Sequence, residues 1–91
     1  MAIEVRIPTI LRTYTDGEKA VDADGATLTD LIANLDASHP GLGDRLLENG
    51  ELRRFINVYV NDEDVRFEGG LAKELTDGDV VVILPAVAGG A

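Results

Sequence analysis

Ile3, Val5 and Ile7 alternate with Glu4 and Arg6, the two-residue period of a half-buried strand. Pro8 ends that strand, and Thr9–Thr15 is expected to be a loop whose Ile10 and Leu11 fold back on the core. Asp16-Gly17 is a turn signal, so a second strand over Glu18–Asp22 returns antiparallel to the first, and Asp24-Gly25 turns again. Thr27 then reads as an N-cap with Asp30 in the first turn. Leu28, Leu31, Ile32 and Leu35 follow at helical spacing, the core-facing stripe of a helix that stops near Ser38 before Pro40-Gly41.

Beyond the helix, Leu42–Asn49 suits a short helical turn with Leu46 and Leu47 tucked in, and Gly50 with Glu51–Arg54 a connection. Phe55–Val60 is a strand with Ile56, Val58 and Val60 on one face and Phe55, Asn57 and Tyr59 on the other. Asn61-Asp62 turns into a short strand over Val65–Phe67, Leu71–Leu75 suits one helical turn, and Asp77-Gly78-Asp79 launches the β-branched run Val80–Leu84. A hairpin, a crossover helix and a second set of strands ending in a central one predict an α+β fold. The sheet is mixed, with one main helix on one face: the β-grasp, or ubiquitin-like, architecture. Val81 and Ile83 would point inward, leaving Val82, Leu84, Tyr59 and Phe55 as a contiguous apolar patch suited to docking a partner.

Pro85 cannot donate to a ladder, and only small residues, Val87 the largest, separate it from Gly89-Gly90. The chain therefore divides into a globular domain over residues 1–85 and a flexible tail over 86–91. Extended, the five steps from Pro85 to Gly90 reach roughly 17 Å. Gly89 and Gly90 carry no side chains, so a partner's narrow channel can close around their backbone. The tail reads either as a plain frayed end or as an arm that delivers a terminal carboxylate into another protein's active site.

Composition narrows the chemistry. Ninety-one residues make one small domain. The absence of cysteine excludes disulfides, thiolate metal sites and a cysteine nucleophile. With no signal-peptide pattern and no long apolar run, a cytoplasmic location is expected. A net charge of −9 argues against nucleic acid and anionic membranes as partners. The only serine and the only histidine, Ser38 and His39, are sequence neighbours, which seldom meet as nucleophile and base. Asp62-Glu63-Asp64 and Asp22-Ala23-Asp24-Gly25 lack the spacing of a calcium loop and read as solvated turns. No catalytic residue and no metal site are therefore expected in the chain.

The run Phe55–Phe67, Gly69-Gly70-Leu71-Ala72, Asp77-Gly78-Asp79 and Ile83–Gly90, together with Ile7–Arg12, resembles the ubiquitin-like sulfur carriers of the ThiS/MoaD family, in their CysO branch. The likeness covers nearly the whole chain. It implies that the protein is a carrier and not an enzyme, with no cofactor bound. An ATP-using activating and sulfur-transfer enzyme of the MoeB/MoeZ kind would adenylate the Gly90 carboxylate, and sulfur would replace AMP to give a thiocarboxylate. By the same resemblance Gly90 carries the sulfur and Gly89 and Ala88 give access. The patch of Tyr59, Val82, Leu84 and Phe55 docks the enzymes. The acceptor would be a cysteine-synthase-like enzyme, or a synthase of a thio-sugar, thiamine or molybdopterin. A JAMM-type metalloprotease would release the product. The pattern departs from the family's at one place: Gly90 is amide-bonded to Ala91, and an amide cannot be adenylated. Cleavage between Gly90 and Ala91 is the expected first step, unless Ala91 is foreign to the natural chain. The alternative reading is a ubiquitin-like modifier joined through Gly90 to lysines.

Overall fold

The computed structural model describes residues 3–54 and 56–85. Five strands form one mixed sheet: β1 (Ile3–Arg6), β2 (Ala20–Ala23), β5 (Ile56–Val60), β6 (Glu63–Asp64) and β7 (Val80–Pro85). Their order is β2-β1-β7-β5-β6, with β7 at the centre. β7 runs parallel to β1, with Val5 opposite Val81, and antiparallel to β5, with Val58 opposite Ile83. A long crossover is needed to bring the last strand parallel to the first. It contains α1 (Leu28–Ser38) and α2 (Leu42–Leu46) and a two-strand hairpin, β3 (Leu47–Glu48) with β4 (Glu51–Leu52).

α1 starts where the sequence says it should. The Thr27 hydroxyl accepts the Asp30 amide at 3.3 Å, so one orphan donor of the first turn is satisfied by the cap. Its stripe of Leu28, Leu31, Ile32 and Leu35 is buried against Ile3, Val5, Val58, Val81 and Ile83 in one cluster. The inward residues of every long strand are those that the alternation assigns to the core. Mixed sheet plus one covering helix is the α+β β-grasp fold.

Five local expectations are corrected. Thr9–Thr15 is a 3-10 helix and not an open loop. Successive residues of a 3-10 turn point about 120° apart, so Leu11 enters the core while Ile10 faces out, 63 % exposed. The second strand begins at Ala20 and not Glu18, because Asp16 (φ 55°) and Gly17 (φ 84°) open a wider turn. The strand expected at Val65–Phe67 is a 3-10 turn, and pairing sits earlier, at Glu63–Asp64. Asn61 and Asp62 both have positive φ, which makes a two-residue hairpin that resumes the ladder at once. The Asp64 carboxylate then accepts the Arg66 amide at 2.9 Å and curls the chain out of the sheet. Finally, the segment from Leu47 to Leu52 is the β3–β4 hairpin around Asn49-Gly50, both at positive φ, where a helical end and a connection were expected. The expected helical turn at Leu71–Leu75 sits one residue earlier, at Gly70–Ala72, which frees Leu75 to bury itself beside α1's start.

Candidate functional site

The outward side chains of the sheet make a continuous surface. Arg6 on β1, Val82 on β7, Tyr59 on β5 and Asp64 on β6 stand in one cross-strand row. Leu84 and Asn57 face each other in the next row toward the end of β7. Tyr59 and Val82 are half-buried, and Leu84, 44 % exposed, is the one large hydrophobic side chain exposed on the described strands. Three of the four docking residues read from the sequence are thus brought together on one face. The fourth, Phe55, lies outside the described residues, as do Ala88, Gly89, Gly90 and Ala91.

β7 carries Val82 and Leu84 of this surface close to the last described residue. Pro85 is its last residue, opposite Ile56. β6 pairs only with Tyr59 and Val60, so the first half of β5 has no strand on its outer side. Arg66 takes that place. Its guanidinium donates to the Ile56 carbonyl at 2.7 Å, to the Arg53 carbonyl at 3.2 Å and to Asn57 Oδ1 at 2.6 Å. Nη2 serves both carbonyls while Nη1 reaches the Asn57 side chain, and a planar fork that holds backbone and side chain at once is a geometry lysine cannot supply. The strand facing the tail's root is therefore pinned by a cation that also borders the apolar patch. Nothing in the sequence singled out Arg66, because its partners lie 9 to 13 positions away and meet it only after the Asn61-Asp62 turn.

The other end of β7 explains the Asp77-Gly78-Asp79 motif. Gly78 takes φ 90°, and Asp79 accepts from the Thr76 amide at 2.8 Å, the Thr76 hydroxyl at 3.1 Å and Asn61 Nδ2 at 2.9 Å. Hydrogen bonds from the Thr76 backbone and the Asn61 side chain hold its carboxyl below the ordinary 3.8; Lys73 adds a smaller pull. The motif launches a strand; it is not a ligand site. Among the described residues no group of three or more His, Asp or Glu gathers as metal ligands. Ser38 is the last residue of α1 and His39 its C-cap, with the His39 amide donating to Leu35. No helix among the described residues is long and apolar enough to cross a membrane.

A β-grasp sheet whose last strand is central, with an apolar patch of Tyr59, Val82 and Leu84 on its outer face, defines a ubiquitin-like protein. Residues 5–90 match the ThiS family, and the chain belongs to it. It is 56 % identical to the sulfur carrier protein CysO of Mycobacterium tuberculosis H37Rv, an alignment covering 99 % of this chain and all of that protein. It is also 38 % identical to small archaeal modifier protein 3 of Haloferax volcanii, with 99 % of this chain and all of the other covered. Its structure superposes on a chain of the Amycolatopsis orientalis BexX/CysO complex with a TM-score of 0.93 and 60 % identity, covering 98 % of this chain and 100 % of that one. The resemblance read from the sequence is borne out at the level of family and fold. The chain is of the ThiS-like sulfur-carrier type, a small protein carrier.

Proposed function

We propose that the protein carries sulfur as a thiocarboxylate on Gly90, for cysteine synthesis or for another sulfur metabolite such as a thio-sugar, thiamine or molybdopterin. The observation that carries this reading is the central strand β7, which runs through Pro85 toward Gly89-Gly90 beside an outward apolar face. The family match itself ends at residue 90. The division of labour is a globular domain over residues 1–85 and a delivering tail over 86–91, with Ala88 and Gly89 narrow enough to enter a channel.

The chemistry needs no catalytic group on the carrier. Gly90 must first be freed from the peptide bond to Ala91 by a metalloprotease of the JAMM type, since only a carboxylate can attack the α-phosphate of ATP. Pyrophosphate leaves and an acyl adenylate forms on the activating enzyme. A sulfide-level nucleophile then adds to the Gly90 carbonyl, and AMP departs with the C–O bond. The –COS⁻ sulfur stays attached to the carrier, which presents it to the acceptor enzyme at high effective concentration. ATP belongs to the partner and nothing is held permanently by this chain. Tyr59, Val82 and Leu84 form the surface on which the activating and acceptor enzymes dock; Phe55, outside the described residues, is assigned to it by the alternation of the sequence.

The test compares intact protein with protein trimmed to Gly90. With its adenylating enzyme and ATP, the trimmed form should support pyrophosphate exchange and gain sulfur for oxygen by mass spectrometry; the intact form should do neither. No exchange by the trimmed form would sink the reading, and exchange by the intact form would sink the processing step.

The 38 % identity to an archaeal modifier protein favours one second reading, attachment of Gly90 to lysines through an isopeptide bond. A ladder of higher-mass conjugates in lysates, without sulfur exchange on the free chain, would favour it.

A further inference from the structure

The chain carries 17 acids against 8 bases, yet the charged residues that line one groove are all bases. It lies between the end of β1, the following 3-10 helix and the end of β7, with Arg6, Arg12 and Lys19 around Ile10, Leu84 and Pro85. No acid lines it. Arg12 is held in place by its Nε, which donates to the Ile7 carbonyl at 3.1 Å. Ile10 and Leu84 are two of the three large hydrophobic side chains most exposed among the described residues. Ile10 is turned out by the 3-10 geometry although the pattern assigns it to the core.

We infer that this groove docks an acidic segment of the activating enzyme bearing an apolar side chain, which seats between Ile10 and Leu84 while its carboxylates face Arg12 and Lys19. The assignment rests on the sulfur-carrier reading and names the partner chemistry at that reading's site. Three observations point to this occupant. The groove is continuous with the docking face, sharing Arg6, Val82 and Leu84 with it. Arg6 is tied to Glu4 at 2.8 Å, but Arg12 and Lys19 stand in the groove with no acid lining it. They stand against a net negative charge on the rest of the molecule, so an acidic partner is steered to this end and repelled elsewhere. Nucleic acid, which meets phosphate along an extended basic face, is disfavoured by the net charge of −9. The contact also lies at the root of the tail, so an enzyme gripping the groove has the chain entering its site within a few residues of Pro85.

The test uses protein trimmed to Gly90, its adenylating enzyme and ATP–pyrophosphate exchange over a range of salt. Wild type should show half-saturation that weakens as salt screens the charges. Lys19→Glu should raise the half-saturating carrier concentration about tenfold, flatten the salt dependence and leave the maximal rate within about twofold. Ile10→Asp should raise it similarly. Both side chains are exposed, and a thermal melt matching wild type certifies each fold. Exchange by wild type with both variants indistinguishable from it would overturn the inference alone; no exchange by wild type would overturn the carrier reading with it. If truncation after Pro85 displaces the Ile10 and Lys19 amide resonances, the groove belongs to the chain's own tail. If the protein self-associates and Lys19→Glu abolishes this, it belongs to a second copy. Either result overturns the assignment.

Discussion

The side-chain amide of Asn61 donates to Asp79 Oδ1 at 2.9 Å, joining the turn after β5 to the start of β7. The same Asn61 accepts the Val80 amide through its Oδ1 at 3.0 Å and gives its own backbone N–H to the Val80 carbonyl at 2.9 Å. The central strand is thereby fixed in register at the end opposite the tail, and a slip of one residue would turn Val82 and Leu84 inward.

That network makes stability depend on acid. Asp79 has its carboxyl held below 3.8 in the folded chain, chiefly by the Thr76 amide and Asn61. A depressed carboxyl contributes fully above the unfolded value and loses its contribution as pH falls through the folded one. Melting temperature should therefore drop below about pH 3.8 more steeply for wild type than for Asp79→Asn, with the two curves converging in acid. Parallel curves from pH 6 to pH 2 would refute the assignment.

Arg66→Ala should destabilise the chain by about 1–2 kcal/mol in urea, since it strips a charged donor from two carbonyls and Asn57. Arg66→Lys should recover only part of this, because one ammonium cannot span the fork. The amides of Ile56 and Asn57 should exchange faster in the alanine variant.

Gly25 packs against the first turns of α1. A methyl group there would come within 2.7 Å of Leu31 Cα and 2.9 Å of the Asp30 carbonyl carbon, both backbone atoms that cannot rotate away. Gly25→Ala is expected to cost at least about 1–3 kcal/mol by chemical denaturation. Wild-type stability would show that the turn before α1 yields freely.

Leu31→Ala should cost about 2–5 kcal/mol, because Leu31 is wholly buried in the core and its loss leaves a cavity. Gly89→Val, placed beyond the described residues, should leave the melt unchanged while stopping activation by the adenylating enzyme. The opposite pairing of effects would contradict the separation of scaffold from tail.

β1, β5, β7 and α1 were legible because their apolar residues recur at periods of two or near 3.6, and the core listens to period above all. The Thr27 cap followed from its hydroxyl ahead of the stripe with Asp30 in the first turn, and the outward trio of Tyr59, Val82 and Leu84 from the strand alternation. Turn chemistry was read less well. Asn49-Gly50 is a strong hairpin signal, but its flanking strands have only two residues each, too few to show an alternation. Val65 and Phe67 looked like strand residues by propensity, whereas the Asp64 cap closes a 3-10 turn there. The convergence of Arg6, Arg12 and Lys19 on one groove carried no signal in the sequence. They converge with Leu84 only because a parallel ladder lays the first strand against the last.

That parallel ladder has a mechanical consequence. β7 is held on both flanks, by β1 on one side and β5 on the other, so a tug on residues beyond Pro85 loads both rows of hydrogen bonds lengthwise instead of peeling them one at a time. On the carrier reading, an enzyme that draws the chain's end into its site could let go again without unravelling the body from which it hangs.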